Sequence, residues 1–431
     1  GIGVDVLPAL AGVGYICGPR VSSYMFAGST IAWFVLMPLI ALFGSDLIIY
    51  PAETTVAEVF AKGGTWGLWS TYIRYIGAGA LAAGGIISLI KSLPLIVRTF
   101  KATMATFGKK SEKTATVLPR TQQDLPMPLV IGLVILLVLL IWLLPTFPVN
   151  PLGALLVVIF GFFFAAVSSR MVGLIGSSNN PVSGMAIATL LATTVLLKIT
   201  GTAGTKGMVG AIAIGGIICV VAAIAGDTSQ DLKTGFLVGA TPRKQQVGEI
   251  IGVIASAISI GYVLDLLNRA WGFGGTEIPA PQGMMMKMIV EGIMNAQLPW
   301  GLIFIGVFVA IVIEILGVPV MPVAVGMYLP FSLSAGIMCG GAIRWFVEKR
   351  TKKDEKFNKE AVERGTLYTS GLIAGEGLMG ILLAVFAVLH WDIDISSKFS
   401  IGQIGSLVMW VLMLGTLLYT CFGKKNLKRI V

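Results

Sequence analysis

Apolar residues in this chain do not alternate with polar ones; they run on for about twenty positions at a time, enough for a helix to cross ~30 Å of hydrocarbon. Such runs predict spans near 21–43, 66–92, 128–145, 149–170, 182–200, 207–226, 246–267, 299–318, 366–389 and 404–422. Two further apolar stretches are broken: 5–18 ends at Gly18-Pro19-Arg20, and 320–343 is punctured by Pro322 and Pro330. Glycine admits non-helical backbone and proline removes a helical donor, so both stretches read as re-entrant or discontinuous helices. The pattern predicts an all-α, polytopic membrane protein with about ten transmembrane helices plus two discontinuous ones.

One polar interruption is denser than the rest. Residues 226–245, GDTSQDLKTGFLVGATPRKQ, gather Asp227, Thr228, Ser229, Gln230, Asp231, Lys233 and Thr234 between two apolar runs. By position alone it reads as a solvated connection or as a working part.

Composition sharpens the class. The 431 residues are 56% hydrophobic and 12% charged, with mean hydropathy +0.89, against about 25% charged residues in soluble domains. The 54 glycines point to closely packed helices. Cys17, Cys219, Cys339 and Cys421 lie in or beside apolar runs without CxxC spacing and read as small packing residues. A lone histidine, His390, argues against a His-based metal site or a Ser-His triad. No motif implies a cofactor, a protein-bound metal or a nucleic acid. No signal peptide is visible, and the first residue is not Met, so a truncated N-terminus is expected.

Basic residues set the orientation. Residues 91–127 carry seven basic against two acidic side chains, 344–365 carry eight against five, and the tail KKNLKR adds four. All three should be cytoplasmic, the C-terminus included. The acidic connections 44–65 and 391–403 should face outside, and alternating the ten spans satisfies all five assignments; Lys198 and Lys206 then fall outside, a modest conflict. Trp66, Trp69, Trp142 and Trp391 fit interfacial positions. The chain divides into first membrane segments with a glycine-rich broken helix (1–90) and a basic cytoplasmic linker (91–127). A membrane core with broken helices at 177–184 and 320–330 follows (128–343), then a charged cytoplasmic loop (344–365) and C-terminal helices with a basic tail (366–431).

Charge at membrane depth costs several kcal/mol unless it meets a partner, a cavity or a substrate. Asp227 and Asp231 share a helical face if the helix before them continues, which would place two proton-holding carboxylates beside Lys233. Alternatively they end that helix and cap the next. Ser177-Ser178-Asn179-Asn180-Pro181 reads equally as a substrate-facing helix break or a short turn. Glu314 lies near a helix end, Glu376 well inside its span, and Glu249 and Asp265 near the two ends of one helix where each can reach water.

The blocks SSNNPVSGM, GDTSQDLKTGFLVGATPRKQQ, EILGVPVMPVAVGMYLP and SGLIAGEGLMG, in this order, resemble the oligopeptide transporter family, including its yellow stripe-like metal-chelate members. ALAGVGYICGPR resembles that family's glycine-rich segment before a long span. The resemblance implies proton-driven import of small peptides or peptide-like metal chelates across the plasma (inner) membrane by alternating access. It also implies N-terminal helices beyond those seen here. Carried over, it makes Asn179, Asn180, Gln230, Lys233 and Tyr328 candidates for the substrate pathway, and Asp227, Asp231, Glu314 and Glu376 candidates for proton coupling. Partners implied are the substrate, protons and the bilayer, with a homo-oligomer left open. Two rivals stand beside this reading. One is an intramembrane aspartyl protease using Ala225-Gly226-Asp227 with Asp265, and the other a non-transporting membrane scaffold.

Overall fold

The computed structural model describes residues 3–107, 119–144, 148–175, 182–202, 204–275, 278, 280–295, 298–352, 354–391 and 402–427. Among them the regular structure is helical, without strands. The helices are α1 (Pro8–Thr30), α2 (Met37–Phe43), α3 (Val56–Leu68), α4 (Arg74–Phe107), α5 (Met127–Leu143), α6 (Pro151–Ile175), α7 (Val182–Ile199) and α8 (Gly204–Val238). They continue as α9 (Pro242–Ala270), α10 (Pro281–Asn295), α11 (Trp300–Ile315), α12 (Val320–Tyr328), α13 (Phe331–Thr351), α14 (Glu355–Val388) and α15 (Gly402–Leu427). Wider π-turns at Ile31–Leu36 and Trp69–Ile73 join α1 to α2 and α3 to α4.

Among the described residues, seven stretches are long and apolar enough to cross a bilayer: Pro8–Phe43, Arg120–Leu143, Pro151–Gly173, Gly204–Val238, Pro242–Ala270, Glu355–Val388 and Ile404–Gly423. Gly184–Ile199 and Trp300–Ile315 are shorter apolar helices, and the expected span 66–92 lies in α3 and α4. The protein is thus an all-α polytopic membrane protein. Two of its long helices, α5 and α9, bury no residue. In water such surfaces would be untenable, whereas hydrocarbon chains solvate them.

The chain forms two compact units, one of Gly1–Ala83, Tyr262–Pro281 and Pro299–Val431, the other of Gly84–Gly261 and Gln282–Leu298. In the first, α1 is two antiparallel arms. Gly18 sits at φ 84°, ψ 170°, and Pro19 follows it. On the way in, Asp5 meets Ser332 and Ile16 meets Arg344; on the way back, Ser23 meets Met338 and Phe26 meets Phe331. The partner numbers rise and then fall, so the chain reverses on α13. Ser22 Oγ donates to both Gly14 O (3.1 Å) and Gly18 O (2.9 Å). Residues eight apart in a straight helix are separated by about 12 Å, so this pair of bonds requires the reversal. The broken helix expected at 5–18 is therefore real.

A second reversal was not expected. Gly64 adopts φ 56°, ψ −146° inside α3, and a Cβ on Gly67 would meet the Val59 carbonyl, again eight residues away. The segment 44–65 is thus more than a connection, since its last part is the first arm of a helical hairpin. The break expected in 320–330 is present, with α12 ending at Tyr328 and α13 beginning at Phe331 after Pro330. The break expected at 177–184 lies mostly outside the described residues; α7 starts at Val182.

In the second unit α6, α7 and α8 enclose a core of Val157, Phe164, Val167, Met185, Ile214 and Ile218. Small residues set its spacing: Ser168 donates to the Ala222 carbonyl, and Ser229 Oγ donates to Ser169 O at 2.7 Å.

Candidate functional site

The dense polar block does not end its helix. α8 runs on through Asp227, Gln230, Asp231, Lys233 and Thr234 to Val238 and turns at Gly239 (φ 73°) into α9. Asp227 and Asp231 therefore do lie one turn apart. What Asp231 meets is on α9. Gln245 Nε2 donates to Asp231 Oδ2 and to its carbonyl oxygen, each at 3.3 Å, and Glu249 lies beside Asp231 and Thr228. Glu249 Oε1 and Gln245 Oε1 are both shielded from solvent without a hydrogen-bond partner. The Gln245 side chain occupies the space that a Cβ at Gly235 would need, so that glycine sets how closely α9 approaches.

Two carboxyl side chains thus lie side by side where α8 and α9 meet, with one Glu249 oxygen buried and unpartnered. Glu249 was expected to reach water and instead joins this cluster. Its signal, a carboxylate two turns into an apolar helix, is present in the sequence, but its partner is set by the turn at Gly239. The rest of the block anchors neighbouring chain. Arg243 N–H donates to Gln123 O (2.8 Å), Arg120 reaches Gly239 O (2.9 Å), and Gln246 bonds both Leu125 N–H and Asp124.

The other expected residues fall in several places. Asn179 and Asn180 lie outside the described residues. Asp227 and Gln230 are exposed on α8, and Lys233 is exposed with its ammonium 5.5 Å from the Phe236 ring. Glu314 is half-buried near the end of α11. Tyr328 is buried, and its carbonyl accepts a bond from Trp69 Nε1 at 3.2 Å. Trp69 is thus a core residue and not the interfacial one expected. Asp265 is held by Arg269 at 2.9 Å on its own helix.

Glu376 has a definite partner: its Oε2 accepts the Ala9 backbone N–H at 2.6 Å, in the first turn of α1. At the other end of that short arm, Arg344 donates to Tyr15 O (3.1 Å) and Ile16 O (2.8 Å), while Glu348 holds its Nε at 2.9 Å. An acid at the N-terminus and a guanidinium at the C-terminus both complement the helix dipole and satisfy end groups with no intrahelical partner. Arg344→Ala should therefore lower stability by roughly 1.5–3 kcal/mol, the worth of hydrogen bonds to a charged group, read as a fall in thermal midpoint in detergent. Glu376→Gln keeps an oxygen acceptor and should melt close to the parent protein. An unchanged midpoint for Arg344→Ala would show that the arm does not depend on its cap.

The described residues thus form an all-helical, multi-pass membrane protein with glycine-broken helices. The comparisons narrow this. Residues 1–387 match the family described as OPT oligopeptide transporter protein, and the chain belongs to that family. A Haemophilus influenzae protein provisionally named an oligopeptide transporter is 30% identical over 421 residues, covering 87% of this chain and 65% of its own length. A rice (Oryza sativa subsp. japonica) protein provisionally named metal-nicotianamine transporter YSL11 is 23% identical over 92% of this chain and 58% of its own. Arabidopsis thaliana YSL5, named in the same way, is 30% identical over 45% of this chain and 29% of its own. The chain spans less than two thirds of the length of these relatives.

Proposed function

We propose that this chain forms most of a secondary active, proton-coupled importer of small oligopeptides or peptide-like metal chelates, working by alternating access in the plasma (inner) membrane. The observation that carries the transport reading is the family match across residues 1–387. Proton coupling rests on the neighbouring Asp231 and Glu249, with Asp227, Glu314 and Glu376 as further acids on apolar helices. Asn179, Asn180, Gln230, Lys233 and Tyr328 supply the amide, ammonium and phenol groups that bind peptide backbone and carboxylate. The glycine breaks at Gly18 and Gly64 provide backbone that can rearrange between states, as broken helices do in other transporters. The excess of basic residues around Lys91, Arg98 and Lys101 and in the C-terminal tail supports a cytoplasmic side for both. A protease reading is disfavoured, because Asp265 is already engaged by Arg269.

The test is uptake into proteoliposomes holding the full-length protein, with dipeptides and metal-nicotianamine as substrates, with and without an inward proton gradient. Accumulation of either substrate should require the gradient. Flux equal in its presence and absence would overturn the coupling, and no flux of any substrate would favour a non-transporting scaffold.

A further inference from the structure

The first unit contains a cavity of about 480 Å³ that none of the candidate pathway or proton-coupling residues lines. Three structural devices wall it: the π-turn Ile31–Leu36 supplies Trp33 and Phe34, the return arm of the second hairpin supplies Thr65 and Trp66, and the first turn of α13 supplies Phe331 and Ser332. The segment before α1 contributes Gly3 and Asp5. The aromatic rings lining it form two edge-on pairs. Trp33 meets Trp66 edge-on at 5.6 Å, and Phe34 meets Phe331 edge-on at 5.0 Å.

One charged group lines this box among the described residues, the Asp5 carboxylate. Ser332 Oγ donates to Asp5 Oδ2 at 2.9 Å, and the Asp5 N–H donates to Ser332 O at 3.2 Å, so the carboxylate is oriented by one oxygen. Trp33 Nε1, a donor with no acceptor beside it, is shielded from solvent. Unpartnered buried polar atoms are rare and ask for an explanation. The π-turn adds to this, since such turns concentrate at functional sites.

An oriented carboxylate facing tryptophan and phenylalanine rings is the chemistry that recognises a cation with an apolar body: the acid supplies charge and hydrogen bonding, the rings a negative face. A volume of about 480 Å³ suits a ligand of amino-acid to dipeptide size. We propose that this cavity binds a primary ammonium group, of the kind carried by the free N-terminus of a short peptide or by an amino-acid-derived chelator. As a substrate feature it rests on the transport reading, yet the binding itself does not.

Binding is therefore measured without a gradient, on the full-length protein in lipid nanodiscs, by calorimetry and tryptophan fluorescence. The probes are dialanine, N-acetyl-dialanine and nicotianamine. Dialanine or nicotianamine should bind, and acetylating dialanine or introducing Asp5→Asn should weaken binding about 10- to 100-fold. Which probe binds more tightly tells the peptide source from the chelator source. Asp5→Glu should restore binding and Trp33→Phe should retain it, while Trp33→Leu should not, with thermal midpoints verifying that each variant is folded. Equal binding of the free and acetylated peptides, indifference to Asp5→Asn, or no binding by any probe would overturn the proposal. Loss of uptake with binding intact would count against the transport reading alone.

Discussion

Gly340→Leu is expected to yield no folded, monodisperse protein, while Gly252→Ala leaves folding and thermal midpoint unchanged. The contrast follows from what a new side chain would meet. A Cβ at Gly340 would lie inside the van der Waals surface of the Ala11 carbonyl oxygen, and one at Gly14 would do the same to Ile337. The contacts are reciprocal: each glycine rests on the backbone of the partner helix, one turn before the partner's own glycine. Gly28 with Val323 and Gly326 with Met25 repeat the arrangement on the return arm. Ordinary overpacking costs about 1–3 kcal/mol because side chains can move aside. Here the obstacle is backbone on both sides, so the whole arm must lift off α13, taking with it the Arg344 and Glu376 caps. At Gly252 nothing lies within 4 Å. Size-exclusion profiles and thermal unfolding of the two variants read the difference directly, and a Gly340→Leu protein that melts with the parent would refute this account of the packing.

This same packing marks the limit of what the primary structure discloses. Hydropathy alone locates most of the long helices, because in a bilayer a run of about twenty apolar residues has few alternatives to a helix. The reversal at Gly18 is legible because Gly-Pro together forbid a regular helix. At Gly63-Gly64 the same backbone freedom sits in a mildly polar stretch, where local chemistry cannot tell a loop from a hairpin; the contact of Gly67 with Val59 decides it. For Asp227 to Thr234 the polar composition suggests a helix end, yet the helix continues and Asp231 is met by Gln245 from α9. Glu376 is recognisable as an acid needing a partner. That the partner is the N–H of Ala9, 367 residues earlier, is a property of the folded chain. The family resemblance read from four short blocks extends, in the family match, over residues 1–387.

The second large effect is expected at the α8–α9 turn: Glu249→Gln combined with Asp231→Asn should abolish gradient-driven accumulation while leaving downhill exchange of substrate. Both substitutions keep shape and hydrogen-bonding capacity, so Gln245 can still bridge to position 231. What they remove is the choice between two charge states. On the proposed coupling, a proton shared by the two carboxyl groups would hold α9 against α8, and its loss would leave two like charges side by side. Proton occupancy would then bias the distance between the two helices. A substrate that binds one spacing better than the other is then coupled to the proton by linkage, with a coupling typically worth 5- to 150-fold in affinity. The neutral pair freezes the bias, so substrate should still bind, with an affinity that no longer varies with pH. Each single variant should show an intermediate pH dependence, because one titratable group remains. Glu376→Gln serves as the control that separates coupling from capping: with its acceptor oxygen kept for Ala9, it should leave accumulation intact if its role is confined to the α1 N-terminus. Should the Glu249→Gln, Asp231→Asn protein still concentrate substrate under a proton gradient, the proton travels by other acids, and Glu314 and Asp227 become the groups to replace.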